Sequence, residues 1–101
     1  MKTFQNLETE FTDEKEVKLC YAYLAIQCLN SVPQGGISPV EMEGRVSVIK
    51  LLKNAEPKAK IEIEDAPFNI LLKCVENMKW ALIHEDIVQF NKYIKSLSIE
   101  G

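Results

Sequence analysis

Residues 19–29 read Leu-Cys-Tyr-Ala-Tyr-Leu-Ala-Ile-Gln-Cys-Leu, apolar or aromatic on every face of a helix, with Gln27 the only side chain that must find hydrogen bonds. A helix greasy all round requires cover on all sides. A chain of 101 residues buries only about 60–65% of the surface it exposes when unfolded. Wrapping one such helix therefore uses most of the remaining elements or recruits a second subunit.

The length suits one domain and is too short for two separate cores. With 47% hydrophobic and 27% charged residues the chain has the balance of a folded globular protein rather than a disordered tail. The formal charge of -3 is unevenly spread. Glu8, Glu10, Asp13, Glu14 and Glu16 crowd the first sixteen residues against Lys2 and Lys15, and the rest of the chain is balanced. Arg45 stands alone among eleven scattered lysines, whereas a duplex-binding surface concentrates basic residues on one face, so nucleic acid is not expected as a partner. No apolar run approaches the ~20 residues needed to cross a bilayer. The start, Met1-Lys2-Thr3-Phe4-Gln5-Asn6, lacks a signal-peptide core, so the expected location is cytoplasmic, without membrane attachment. Cys20, Cys28 and Cys74 are odd in number and fit reduced thiols used as small hydrophobes.

Residues 3–11 fit two patterns, Phe4, Leu7 and Phe11 at helical spacing and Thr3, Phe4, Thr9, Phe11 and Thr12 as a strand. The first helix is expected from Thr12 or Asp13, with Asp13 and Glu16 as a capping box, to about Ser31. Val32-Pro33-Gln34-Gly35-Gly36 breaks it. Ser38-Pro39-Val40-Glu41 is a strong helix start: the Ser38 oxygen can accept from a first-turn N–H, and Pro39 loses nothing there. Met42, Val46, Ile49 and Leu52 follow at helical spacing, with Val48 and Leu51 broadening the stripe, until Pro57 forbids continuation. Lys60-Ile61-Glu62-Ile63-Glu64 alternates with period two, the pattern of a strand with Glu62 and Glu64 on its wet face, either paired with the N-terminal arm or laid as an extended segment over the helices. Asp65-Ala66-Pro67 opens a third helix with Phe68, Leu71, Leu72, Val75 and Met78 on one stripe. The fourth covers roughly residues 85–97, with Ile83, Ile87, Phe90, Ile94 and Leu97 forming a seam, and Trp80-Ala81-Leu82 bridges the two, Trp80 plugging the bundle end with an indole N–H that needs one acceptor.

Chemistry-bearing clusters are sparse. His84 beside Glu85 and Asp86 reads as a polar helix start, since no second His or Cys pair stands at metal-ligand spacing. Cys20 and Cys28 are more than two helical turns apart, too far for one tetrahedral ion. No phosphate loop, nucleophile elbow or dinucleotide fingerprint occurs. Arg45 lies one turn after Glu41, where it can pair with that carboxylate or anchor a partner's.

From about residue 18 to 94 the layout resembles a loose group of short proteins encoded by tailed bacteriophages: an apolar helix, a brief loop, a Ser-x-x-Glu helix with a nearby arginine (Ser38, Glu41, Arg45), an acidic-apolar strand (Ile61-Glu62-Ile63-Glu64), a capped helix and a closing helix. The resemblance implies an origin and a size class and brings no site residues with it.

The expected architecture is mostly α: a small four-helix domain with a short extended or β segment, comprising an N-terminal arm over residues 1–12 and a single helical domain over 13–101. The expected function is non-catalytic protein–protein interaction, by a phage-encoded module that acts on a host protein or as a regulator; the alternative is a small virion structural or assembly protein that forms a homo-oligomer. Tyr21, Tyr23, Ile26, Arg45, Val48 and Leu51 are the candidate interface. No enzyme activity, cofactor, metal or small-molecule substrate is expected.

Overall fold

In the computed structural model, which describes residues 1–12, 15–81 and 83–99, the apolar segment is divided between a strand and a helix. β2 (Glu8–Thr12) pairs antiparallel with β3 (Lys18–Cys20), and the helix α1 (Tyr21–Asn30) begins only afterwards. The expected start near Thr12 is therefore displaced by nine residues, and its capping partner Asp13 lies outside the described residues. Within this pair the Thr9 hydroxyl donates to the Leu19 carbonyl at 2.8 Å and accepts from Phe11 N–H at 3.1 Å, which holds this stretch extended. Glu16 takes a left-handed φ of 61° in the connection.

A second antiparallel ladder joins β1 (Lys2–Gln5) to β4 (Lys60–Ile63), with Phe4 opposite Ile61 and Thr3 opposite Glu62. Of the two readings open for residues 60–64, the ladder is the one observed, and Glu62 and Glu64 are exposed as the alternation requires. Three further helices complete the chain: α2 (Pro39–Leu52), α3 (Asp65–Asn77) and α4 (Glu85–Ile99). The described residues form four helices and two two-stranded sheets, an α+β fold, which corrects the expectation of a mostly α domain with a short extended segment. The correction has a physical cause: both ladders pair segments whose partners are distant or whose apolar residues also fit helical spacing.

Phe4 is wholly buried, so residues 2–12 are woven into the core rather than appended to it. Phe4, Tyr21, Phe90 and Tyr93 form an aromatic cluster joining β1, α1 and α4, with Tyr21 at 5.2 Å from Phe90 and 5.4 Å from Tyr93 between ring centroids. Edge-to-face pairs of this kind add about 0.5–1.5 kcal/mol beyond burial. The Tyr93 hydroxyl accepts from Gln5 N–H at 2.8 Å. Phe68, Leu71 and Val75 of α3 and Ile87, Phe90, Ile94 and Leu97 of α4 are buried as their spacing foretold. Ile83, counted with that seam, is fully exposed because it precedes the helix.

Helix ends follow local rules where the sequence supplies the cap. Ser38 Oγ accepts from Glu41 N–H at 3.2 Å with Pro39 in the first turn of α2. His84 caps α4, its Nδ1 accepting from Asp86 N–H at 3.0 Å, and its ring lies 4.0 Å from that of Phe11. Asp86 in turn accepts from Glu10 N–H at 2.7 Å, covering the outer edge of β2. Trp80 packs on the core between α3 and α4, but its indole N–H is buried with no acceptor among the described residues. Its neighbour Leu82 lies outside them.

The start of α1 has no cap of its own: Cys20 at the cap position makes no side-chain bond to it. Asn6 supplies one from the other ladder. Its Oδ1 accepts from Ala22 N–H at 2.7 Å, its Nδ2 donates to the carbonyls of Glu56 at 3.0 Å and Ala55 at 3.4 Å, and its backbone bonds Ala59 and Lys58. This one side chain, 1% exposed, ties β1 to α1 and to the loop before β4.

Candidate functional site

The apolar surplus inferred for residues 19–29 is mostly absorbed inside one subunit. Tyr21, Ala22, Leu24, Ala25, Cys28 and Leu29 are buried, covered by α2, α3, α4 and β3. What stays open is one edge of α1, where Tyr23 is 45% exposed and Ile26, one turn on, is half-buried. Helical spacing puts residues 23 and 26 on neighbouring positions, so they form a continuous strip.

On α2 the surface is decided by which flank faces which helix. Arg45 reaches the end of α1, and a Cβ on Gly44 would stand 2.9 Å from Ile70 of α3, so the Arg45 side faces α1 and the Gly44 side faces α3. Met42, Val46, Ile49 and Lys53 recur at four, three and four residues on the outer part of the α1 side. Met42 is 49% and Val46 40% exposed. Lys53 also borders a groove of about 280 Å³ that contains Tyr23 and Ile26, with Leu52, Ala55 and Pro57 in its lining. The α1 edge thus meets the C-terminal end of α2, at Leu52 and Lys53, along a mostly apolar groove open to solvent, and the Met42–Val46 face continues from Lys53 away from it.

The six interface candidates separate accordingly. Tyr23 and Ile26 line the groove. Tyr21 and Val48 are core residues and not surface ones, because the former points to Phe90 and the latter to the centre of the domain. Leu51 is 45% exposed but lies two turns from Gly44 on the α3 flank, away from Tyr23. Arg45 is a clamp: its Nη1 donates to the Ser31 carbonyl at 2.6 Å and the Leu29 carbonyl at 3.2 Å, and Glu41 stands 3.5 Å from Nη2. A guanidinium there satisfies the orphan carbonyls at the α1 terminus and offsets its negative dipole end. Val46 and Ile49 belong to the apolar stripe of residues 46–52 whose surplus points to a contact surface, yet neither they nor Met42 stand among the six candidates. Their spacing was visible, but which flank would meet α1 was not.

A second depression of about 310 Å³ lies beside the Arg45 clamp, with Glu41, Lys73, Asn77, Cys28 and Cys74 in its walls. Burial raises the Cys74 thiol, while Arg45 pulls it down and Glu41 pushes it up. Burial, aided by Cys74, pushes the Cys28 thiol up to about 12. Both thiols are thus protonated and poorly nucleophilic at neutral pH. All three cysteines are free. Among the described residues no group of three His, Cys, Asp or Glu side chains is placed to hold a metal ion, and none of the helices is long and apolar enough to cross a membrane.

No family model matches the chain, and no curated protein or solved structure is significantly similar to it. The groove, and not kinship, is thus the basis for a functional reading.

Proposed function

We propose that this protein is a non-catalytic binding module that engages another protein through the α1–α2 groove. The observation that carries the reading is the half-exposed Tyr23 beside the half-buried Ile26 along an apolar concavity closed by Leu52, Ala55 and Pro57, with Met42 and Val46 exposed further along the α2 face that ends at Lys53. Aromatic and Met side chains with aliphatic neighbours are the composition of interface anchors, and anchors dominate binding when they fill or wall a pocket.

The test is a Tyr23→Glu, Val46→Glu double variant, both positions being exposed. Native protein should retain a purified partner as a complex of fixed stoichiometry by light scattering, and the double variant should lose it while unfolding at nearly the native temperature. Retention of the partner by the double variant, or a hydrogen-exchange footprint on another face, refutes the reading. A concentration-dependent dimer of the protein alone that the same substitutions dissolve assigns the face to self-association instead.

A further inference from the structure

We infer that the occupant of the α1–α2 groove is an acidic amphipathic segment of a different protein, its aliphatic side chains seated beside Tyr23 and Ile26 and its carboxylates on Lys18 and Lys53. The inference rests on the binding reading above and adds the chemistry of the partner. Apart from Asn6 at its base, the polar side chains lining the groove that carry full charge are both lysines, Lys18 at the start of β3 and Lys53 at the end of α2, and both are exposed. Their stems can lie along the apolar wall while the ammonium groups stay at the rim, where a flanking carboxylate meets them. Two acids stand nearby, Glu8, opposite Cys20 across the β2–β3 ladder, and Glu56, between Ala55 and Pro57; neither lines the groove.

Helix ends add to this sign. The first turn of α1, which opens on the groove at Ala22 and Tyr23, holds no acidic residue to offset its positive dipole end. The negative end of α2 arrives at the same place, but Lys53 at its cap position stands over it. The groove is therefore apolar in its walls and positive at its rim.

That sign also decides between a second copy and a foreign chain. A two-fold contact presents the same patch from both sides, so one Lys18–Lys53 rim would meet another, with no acid in either groove lining to offset them. Like charges placed together oppose association. The carboxylates must come from elsewhere. The cavity has room for a leucine-sized anchor, so a short helix or extended segment with aliphatic residues on one face and Glu or Asp beside them matches it in both shape and charge.

The experiment titrates the intact protein, labelled with ¹⁵N, with synthetic amphipathic peptides that share one aliphatic face and carry flanking Glu, Gln or Lys. The Glu peptide should shift the amide resonances of Tyr23 and Ile26 and bind about tenfold more tightly than the Gln peptide at low salt, the advantage shrinking as the Debye length falls. The Lys peptide should not bind. A Lys18→Glu, Lys53→Glu variant, altered only at exposed positions, should invert the preference toward the Lys peptide. Equal binding of the Glu and Gln peptides at these resonances overturns the acidic partner and leaves the docking face standing. Absence of any shift at Tyr23 and Ile26 with all peptides, or a dimer of the native protein that buries them, overturns both.

Discussion

Replacing Asn6 by Ala removes three side-chain hydrogen bonds at a site that water does not reach. Ala22 N–H loses its acceptor at 2.7 Å, the Glu56 carbonyl its donor at 3.0 Å, and the Ala55 carbonyl a longer contact at 3.4 Å. A buried backbone group left without a partner costs about 1–3 kcal/mol, and loss of a helix cap about 1 kcal/mol. Counting the strong pair of bonds near the middle of that range, and the long one as minor, gives a loss of about 3–4 kcal/mol. For a domain of this size each kcal/mol moves the midpoint by roughly 4–8 °C, so the thermal midpoint should fall by about 15–25 °C. Urea unfolding with an unchanged m-value gives the free energy directly. Asn6→Asp serves as a partner variant: it keeps the acceptor for Ala22 N–H but turns a carboxylate toward two carbonyls, so it should be as unstable as the Ala variant at neutral pH and regain stability when acid protonates it. A loss below about 1 kcal/mol for Asn6→Ala, or unchanged hydrogen-exchange protection at Ala22, would refute the view that this side chain holds α1, β1 and the following loop together.

Four other outcomes follow from particular contacts. Tyr21→Glu should unfold the protein or cost more than about 3 kcal/mol, since it buries a carboxylate among Phe90 and Tyr93, whereas Tyr23→Glu should change stability by under about 1 kcal/mol in the same denaturation assay. Arg45→Lys should lose about 1–2 kcal/mol, because Nη1, which bonds both the Leu29 and Ser31 carbonyls, lies at the end of a longer side chain than a lysine ammonium can match; the exposed Glu41 carboxylate adds little, so Glu41→Gln should be nearly silent. Lys58 holds a left-handed φ of 68°, and Lys58→Gly should raise stability by up to about 1 kcal/mol, relief of strain exceeding the added chain entropy. Cys28 should resist iodoacetamide at pH 8 until the chain unfolds, as mass spectrometry can follow. Because its folded thiol titrates near 12 against 9.0 for an unperturbed one, the unfolded state releases its proton first, so stability from this group is intact below pH 9 and declines as pH rises toward 12.

Ser38 with Pro39, the buried stripe from Phe68 to Val75, the seam from Ile87 to Leu97 and the alternation around Ile61 all depend on neighbours within a few residues. Each could be read from the letters because capping, helical periodicity and strand alternation are short-range. The groove was legible only in part: Tyr23 and Ile26 were named, but Tyr21, Val48 and Leu51 were grouped with them because a helix greasy on all faces does not announce which face will be covered. Charge was as misleading for Arg45, whose isolation among lysines marks a clamp on α1 as readily as an anchor for a partner.

The amino-acid pattern alone thus determines that the chain forms four helices and a strand near residue 61, and that residues 19–29 need cover from nearly everything around them. Where α1 begins, which flank of α2 meets it and hence where the apolar groove opens are set by contacts between residues far apart in the chain. Asn6 reaches Ala22, Thr9 reaches Leu19, Arg45 reaches Ser31 and Gly44 lets Ile70 approach. Such contacts form only after collapse, when burial of each backbone group demands a partner that no local rule of spacing can name.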